Sequence, residues 1–297
     1  MNKCGFISVL GRPNAGKSSL LNYLLGQKLA LVSHKANATR KRANIIIMHK
    51  KNQLIFVDTP GLHKAEKLLN QFMLSEALKA MGDCDLALFL APASDKISYY
   101  EDFLEEFKKL KKTTKHILIL SKVDTISSNA LAQKIKEYEV YKDSYEELYP
   151  LCIKNPKGLG LLDTLAKYLP EHPYLFDEEI LTSEHLRDIY KEFIREAIFD
   201  NISDEIPYES DVLINKIEEK ENIDVIKATI IVQKDSQKGM IIGKGARAIK
   251  RIGKCAREKI EILSEKKCYL ELFVSVKKSW SKDAKGLKSL GYDVDKR

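Results

Sequence analysis

The sequence predicts two successive mixed architectures: a doubly wound, mostly parallel α/β sheet over residues 1–170 and a smaller α+β unit over 181–297, joined by a linker at 171–180. Three observations carry this. Short apolar runs alternate with stretches of helical period as far as Tyr168, which is the rhythm of strand–helix–strand units that build a parallel sheet. Pro170-Glu171-His172-Pro173 then interrupts the chain, and two prolines around a polar step mark a boundary. Beyond it the order becomes helix, two strands, two helices and a strand. At 297 residues the chain has room for both cores.

Residues 6–10 (FISVL) read as a buried strand and 18–25 (SSLLNYLL) as the helix that follows. Between them Gly11-Arg12-Pro13-Asn14-Ala15-Gly16-Lys17-Ser18, continued by Ser19, fits G-x-x-x-x-G-K-[ST]. That loop wraps nucleotide phosphates: its glycines let backbone N–H groups turn toward an anion, and Lys17 adds a mobile positive charge. The Ser18 hydroxyl is placed to ligate Mg²⁺. A P-loop NTPase fold follows, without a choice of base.

From 26 to 37 the chain carries few regular signals. Residues 44–49 (NIIIMH) and 53–58 (QLIFVD) are apolar runs joined by Lys50-Lys51-Asn52, a hairpin pattern. The second run ends in Asp58-Thr59-Pro60-Gly61. A carboxylate at the carboxyl end of a strand, on the sheet edge that holds the phosphate loop, is placed to hold Mg²⁺ through water. Gly61 can bring its N–H to a γ-phosphate because no side chain blocks the approach. Helical period over 64–80, a strand at 86–91, a helix over 99–111 and a strand at 116–120 lead to Ser121-Lys122-Val123-Asp124. Helices near 129–140 and 159–168 flank a short strand at 148–153. Asp124 is the base-choosing residue of this pattern: a carboxylate accepts from guanine N1–H and N2–H together, a donor pair adenine lacks. The stem of Lys122 can lie along the purine face.

GRPNAGKSS, DTPG and SKVD, in this order, resemble the translation-factor-related GTPases. GFISVLGRPNAGKSSLLN together with KANATRKR is similar to the Era-type ribosome-assembly GTPases, and the likeness extends over nearly the whole chain. It implies GTP and GDP as nucleotides, with Mg²⁺ on Ser18, Thr39 and Asp58 and with K⁺ beside Asn14. By the same resemblance Thr39 is the switch threonine, and Lys17, Thr39 and Gly61 carry catalysis. Leu62 stands where many GTPases keep a catalytic glutamine; this branch has a hydrophobic residue there. Leu62 therefore leaves open a second reading, an RNA-binding assembly factor whose nucleotide is a structural ligand that is not hydrolysed. Three departures from the family pattern follow. Ser121 replaces Asn or Thr and predicts weaker guanine binding; Cys152-Ile153, before Lys154, replaces Ser-Ala in the loop that reaches guanine O6; Ala38 replaces a threonine.

In the second half, Leu186, Ile189, Tyr190, Phe193, Ile194, Ala197 and Ile198 recur at helical spacing. Residues 211–217 alternate weakly, whereas 225–233 place Ile226, Ala228, Ile230 and Val232 on one face of a strand. The run from Gly239 through Ile242, Gly243, Lys244, Gly245, Ala246, Arg247, Lys250 and Arg251 reads as a glycine-bearing turn opening a basic helix. KH modules clamp single-stranded nucleic acid in this way. Strand 269–276 closes the unit, with Leu270, Leu272, Val274 and Val276 inward. The element order resembles a type II KH domain. Its loop normally reads G-x-x-G, so Ala246 predicts some reshaping, since alanine disfavours positive φ. Trp280 is a stacking ring or a packing residue.

Basic charge is concentrated in the last third of the chain. Residues 227–297 hold 19 Lys and Arg against 8 Asp and Glu, a net +11 within a chain total of +8, which leaves −3 for residues 1–226. Such asymmetry suits a polyanion partner for the rear unit. By resemblance that partner is the 3′ end of 16S rRNA in 30S subunit assembly, with the protein a cytoplasmic monomer; the lysines also suit peripheral contact with the inner face of a membrane. Five scattered cysteines without a C-x-x-C pair argue against a disulfide framework or zinc site and fit a reducing compartment.

Overall fold

Six apolar runs pair into the first sheet. In the computed structural model, which describes residues 2–26, 39–61, 68–110, 114–154, 160–203 and 205–292, they are β1 (Lys3–Leu10), β2 (Ala43–His49), β3 (Asn52–Asp58), β4 (Leu86–Pro92), β5 (Lys115–Ser121) and β6 (Leu148–Leu151). Their order is β2-β3-β1-β4-β5-β6. Only the hairpin strand β2 runs antiparallel to its neighbour.

Helices α1 (Lys17–Leu25), α2 (Leu68–Asp83), α3 (Ser98–Lys108), α4 (Ser128–Glu139) and α5 (Gly160–Tyr168) connect the strands. Strand β4 shows why both faces are covered. Leu86, Leu88 and Leu90 pack with side chains of α1 and α5, whereas Ala87, Phe89 and Ala91 pack with those of α2, α3 and α4. A strand buried on both faces reads as a continuous apolar run, as LALFLA does. The parallel direction brings Gly11, Asp58 and Ser121, each at or just after a strand's carboxyl end, to one edge of the sheet, where ligands of open α/β sheets bind.

The stretch 171–180, expected as a linker, instead lies along the first sheet, and the first unit runs to Ser183. Gln53, fully buried, accepts from the backbone N–H groups of Leu175 (2.9 Å) and Phe176 (3.1 Å) and donates to the Phe176 carbonyl at 2.8 Å. Ile46 N–H donates to the Leu181 carbonyl at 2.9 Å and the Thr182 hydroxyl to the Asn44 carbonyl at 2.6 Å. Proline spacing marks a break in regular structure, but it does not reveal that edge strand β2 offers unpaired backbone groups to the chain that passes it.

The second unit comprises residues 184–292 together with 68–72. Its elements are α6 (Leu186–Asn201), α7 (Ile206–Glu209), β7 (Asp211–Glu219), β8 (Ile223–Val232), α8 (Asp235–Ile242), α9 (Arg247–Ser264), β9 (Lys267–Val276) and α10 (Ala284–Ser289). The sheet order is β7-β8-β9, with β7 antiparallel and β9 parallel to β8. Ala248, Ile252, Ala256 and Ile260, four residues apart on α9, share one core with Ile226, Ala228, Ile230 and Val232 of β8. Trp280 belongs to packing: it is fully buried and donates from Nε1 to the Glu209 carbonyl at 3.1 Å.

Candidate nucleotide site and nucleic-acid groove

Between β1 and α1 the chain takes the backbone that its glycines permit. Gly11 has φ +140° and Gly16 has φ +100°. A Cβ at Gly11 would also lie 2.6 Å from the Leu90 carbonyl oxygen, so no other residue fits there. Lys17 begins α1 and turns inward; its Nζ donates to the carbonyls of Gly11 and Arg12, each at 3.2 Å. Burial pulls its pKa down to about 8, opposed by the nearby Asp58 charge. An anion in the loop would relieve that penalty. Gly61 abuts the loop so closely that a Cβ would lie 2.5 Å from the Pro13 nitrogen. Thr59 fixes the approach by donating to the Val9 carbonyl at 2.6 Å.

Three oxygens meet at the rim of this loop. Asp58 Oδ2 accepts from the Ser18 hydroxyl at 2.8 Å and from the Thr39 hydroxyl at 3.3 Å, and the two hydroxyls are 3.2 Å apart. The other carboxylate oxygen, Oδ1, is buried with no hydrogen-bond partner among the described residues. Burial raises the pKa of this carboxyl, and Lys17 is the main opposing influence. A buried oxygen without a donor beside two hydroxyl oxygens is a set of hard ligands that fits Mg²⁺ shared with phosphate oxygens and water. Among the described residues no group of three or more His, Cys, Asp or Glu side chains forms a metal cluster.

The base end is tied to the same loop. Ser121 donates to the Ala15 carbonyl at 2.9 Å, and Lys122, at φ +56°, donates to the Asn14 carbonyl at 2.7 Å. Serine thus keeps the link to the phosphate loop in spite of its short reach. Asp124 lies on a tight turn, 30% exposed, with Lys154 Nζ 2.8 Å from its Oδ2. This ion pair holds the Asp124 carboxyl below its ordinary pKa, with the Cys152 thiol assisting. Ile153 follows Cys152, 37% exposed. Ala38 and Leu62 lie outside the described residues, as do Lys35, Ala36 and Asn37 of KANATRKR.

Sequence reasoning missed Asp95. It follows β4 and receives the Arg12 guanidinium in two parallel contacts, Nε to Oδ2 at 2.5 Å and Nη2 to Oδ1 at 2.6 Å. No motif signals a carboxylate in that turn; only the parallel pairing of β1 with β4 brings it beside the loop.

In the second unit α8 ends at Gly243, which has φ +71° and where a Cβ would lie 2.8 Å from the Ala248 Cβ. Gly245 and Ala246 follow at φ +59° and +60°, and α9 starts at Arg247. The turn is therefore Gly243 to Ala246, whereas Gly239 and Ile242 belong to the helix before it. Lys244, Arg247, Lys250 and Arg251, in the turn and the first turns of α9, are all exposed. Beside them a cavity of about 350 Å³ runs between α9 and β9, lined by Lys250, Gly253, Lys254 and Arg257 on one side and Tyr269 and Leu272 on the other. Basic residues facing an exposed ring suit a single strand, with phosphates on one wall and bases on the other. Sequence alternation gave the strand but not Tyr269 and Gly253, whose place in the groove depends on how α9 crosses the sheet.

A family model described as 50S ribosome-binding GTPase matches residues 6–122, and a KH domain model matches residues 205–281. The chain is 50% identical over 293 residues to GTPase Era of Campylobacter lari, spanning 98% of this chain and 99% of the relative. To GTPase Era of Helicobacter pylori G27 it is 52% identical over 296 residues, spanning 98% and 97%. Among solved structures, Era in complex with MgGDPNP and nucleotides 1506–1542 of 16S ribosomal RNA matches with a TM-score of 0.94 at 32% identity, over 99% of this chain and 100% of that one. A variant of Aquifex aeolicus Era bound to GDP·AlF4⁻ matches with a TM-score of 0.93 at 32% identity, over 98% and 100%.

Proposed function

The chain belongs to the Era family of GTPases, and from that premise we propose that it hydrolyses GTP slowly in its first unit while its KH domain holds the 3′ end of 16S rRNA during 30S subunit assembly. The observation that carries the reading is the meeting of Ser18, Thr39 and Asp58 within 3.3 Å of one another beside a buried Lys17.

Lys17 and the N–H groups of Asn14 to Ser19 hold the β- and γ-phosphates and stabilise the charge that develops on them during transfer. Ser18 and Thr39 would hold Mg²⁺ directly and Asp58 would hold it through water, and the ion would supply neutralisation of the phosphate charge. Thr39 closes on the same site, and Gly61 turns its N–H to the γ-phosphate. At the far end Asp124 exchanges Lys154 for guanine N1–H and N2–H, Lys122 lies along the purine, and the Ile153 N–H faces O6. With Leu62 in place of a glutamine, no amide side chain there orients the attacking water, so unassisted turnover is slow. RNA or the 30S particle accelerates it by closing Thr39 on the nucleotide.

A monomer in the cytoplasm with K⁺ at Asn14 completes this reading. Among the described residues no helix is long and apolar enough to cross a membrane. In-cell crosslinking followed by RNA sequencing tests the partner: reads should accumulate at the 3′ end of 16S rRNA, and reads scattered over unrelated transcripts would contradict it.

A further inference from the structure

We propose that Asp95 is a positioning residue for the phosphate loop, acting through Arg12 on the two backbone carbonyls that hold Lys17 and on the wall that Gly61 leans against. The inference rests on the nucleotide reading of the site and adds to it a residue from a different strand. The Asp95 side chain is only 5% exposed, and the Arg12 side chain that it grips is 30% exposed. Both carboxylate oxygens are engaged by the guanidinium at 2.5 and 2.6 Å, a fork-to-fork pairing that fixes orientation as well as distance. The third guanidinium nitrogen, Nη1, folds back to donate to the Pro13 carbonyl at 2.9 Å. Tyr99 lies under the guanidinium, 5.7 Å from ring centroid to Cζ. Asp95 is itself held: its N–H donates to the Pro92 carbonyl at 2.8 Å and its carbonyl accepts from Lys134 Nζ at 2.8 Å.

One chain of contacts therefore runs from α4 through Asp95 to Arg12 and on to the loop interior. The Arg12 carbonyl accepts from Lys17 Nζ and from Ala15 N–H, both at 3.2 Å. Next to it, the Pro13 nitrogen is the atom that a Cβ at Gly61 would strike. Holding Arg12 from outside thus sets where Lys17 points and how near Gly61 sits, both on the γ-phosphate side. Loss of the grip should harm a triphosphate more than a diphosphate.

The sign of the effect separates positioning from a plain field. Asp95 is a negative charge near a polyanion site, so by Coulomb's law its neutralisation alone would strengthen nucleotide binding. Positioning predicts the reverse. Dissociation constants for GDPNP and GDP should be measured on the full chain with Mg²⁺ for wild type, Asp95→Asn, Asp95→Glu, Arg12→Gln and the Arg12→Gln/Asp95→Asn double variant, each with its nucleotide-free melting temperature. Asp95→Asn should weaken GDPNP about tenfold or more and GDP only about two- to threefold. Asp95→Glu should recover part of the loss, and Asp95→Asn should add nothing in the Arg12→Gln background. The proposal is overturned by unchanged or tighter GDPNP binding in Asp95→Asn, by an equal loss for both nucleotides that tracks a fallen melting temperature, or by an undiminished effect without Arg12. Failure of the wild-type chain to bind GDPNP would remove the nucleotide reading itself, and this proposal with it.

Discussion

Lys17 shows how one buried charge links ligand and proton. Its pKa, pulled down by burial to about 8, should rise toward the ordinary lysine value once phosphates neutralise its surroundings. A group whose pKa is higher in the bound state binds a proton on complex formation, so affinity holds below pH 7 and falls as pH rises through about 8. Calorimetry in two buffers of different ionisation enthalpy at about pH 8.5 should detect proton uptake; affinity independent of pH from about 7 to 9 would contradict it. Asp124 yields a second outcome. Asp124→Asn turns one acceptor into a donor, which matches xanthine better than guanine. GTP should bind at least about a hundredfold more weakly and XTP should gain, as competitive displacement would show. These roles are legible in the sequence because the phosphate loop, Asp58-Thr59-Pro60-Gly61 and Ser121-Lys122-Val123-Asp124 each put a fixed chemistry at fixed spacing. Asp95 is not legible there, since its partner Arg12 lies 83 residues away beside a neighbouring strand. Ser121 reads in the sequence as a loss of reach, yet its hydroxyl keeps the Ala15 carbonyl.

At the scale of elements, the turn between α8 and α9 has a flaw that can be measured. Ala246 sits at φ +60°, a conformation that costs a non-glycine residue roughly 1 kcal/mol. Ala246→Gly should therefore stabilise the KH unit by about 0.4–1 kcal/mol in chemical denaturation, with RNA affinity kept or improved; destabilisation would mean that the Ala246 methyl contributes packing that outweighs the strain. Gly243 permits no such exchange, because its φ and its proximity to Ala248 both demand glycine. Periodicity finds every strand of both sheets, since two-residue alternation and short apolar runs survive in the primary sequence. It does not place the end of α8, where Gly239 to Ile242 read as turn but continue a helix that starts at Asp235. Glycine lowers helix propensity by about 1 kcal/mol, and the burial of Ile241 in the core overrides it.

For the molecule as a whole, the concentration of basic charge from residue 227 onward, where the KH turn lies, is visible in the sequence: those residues sum to +11 and residues 1–226 to −3. The extent of each unit is not. Gln53 reads as a polar residue inside an apolar strand, and nothing local reveals that it anchors residues 175 and 176. The measurement that tests the central claim most directly is phosphate release under multiple turnover, from GTP and from ATP, with Mg²⁺ and K⁺, with and without RNA carrying the 16S 3′ end. The account predicts slow release from GTP, none above background from ATP, and acceleration of the GTP reaction by that RNA. Equal turnover of both nucleotides, or fast GTP turnover indifferent to the RNA, would contradict it.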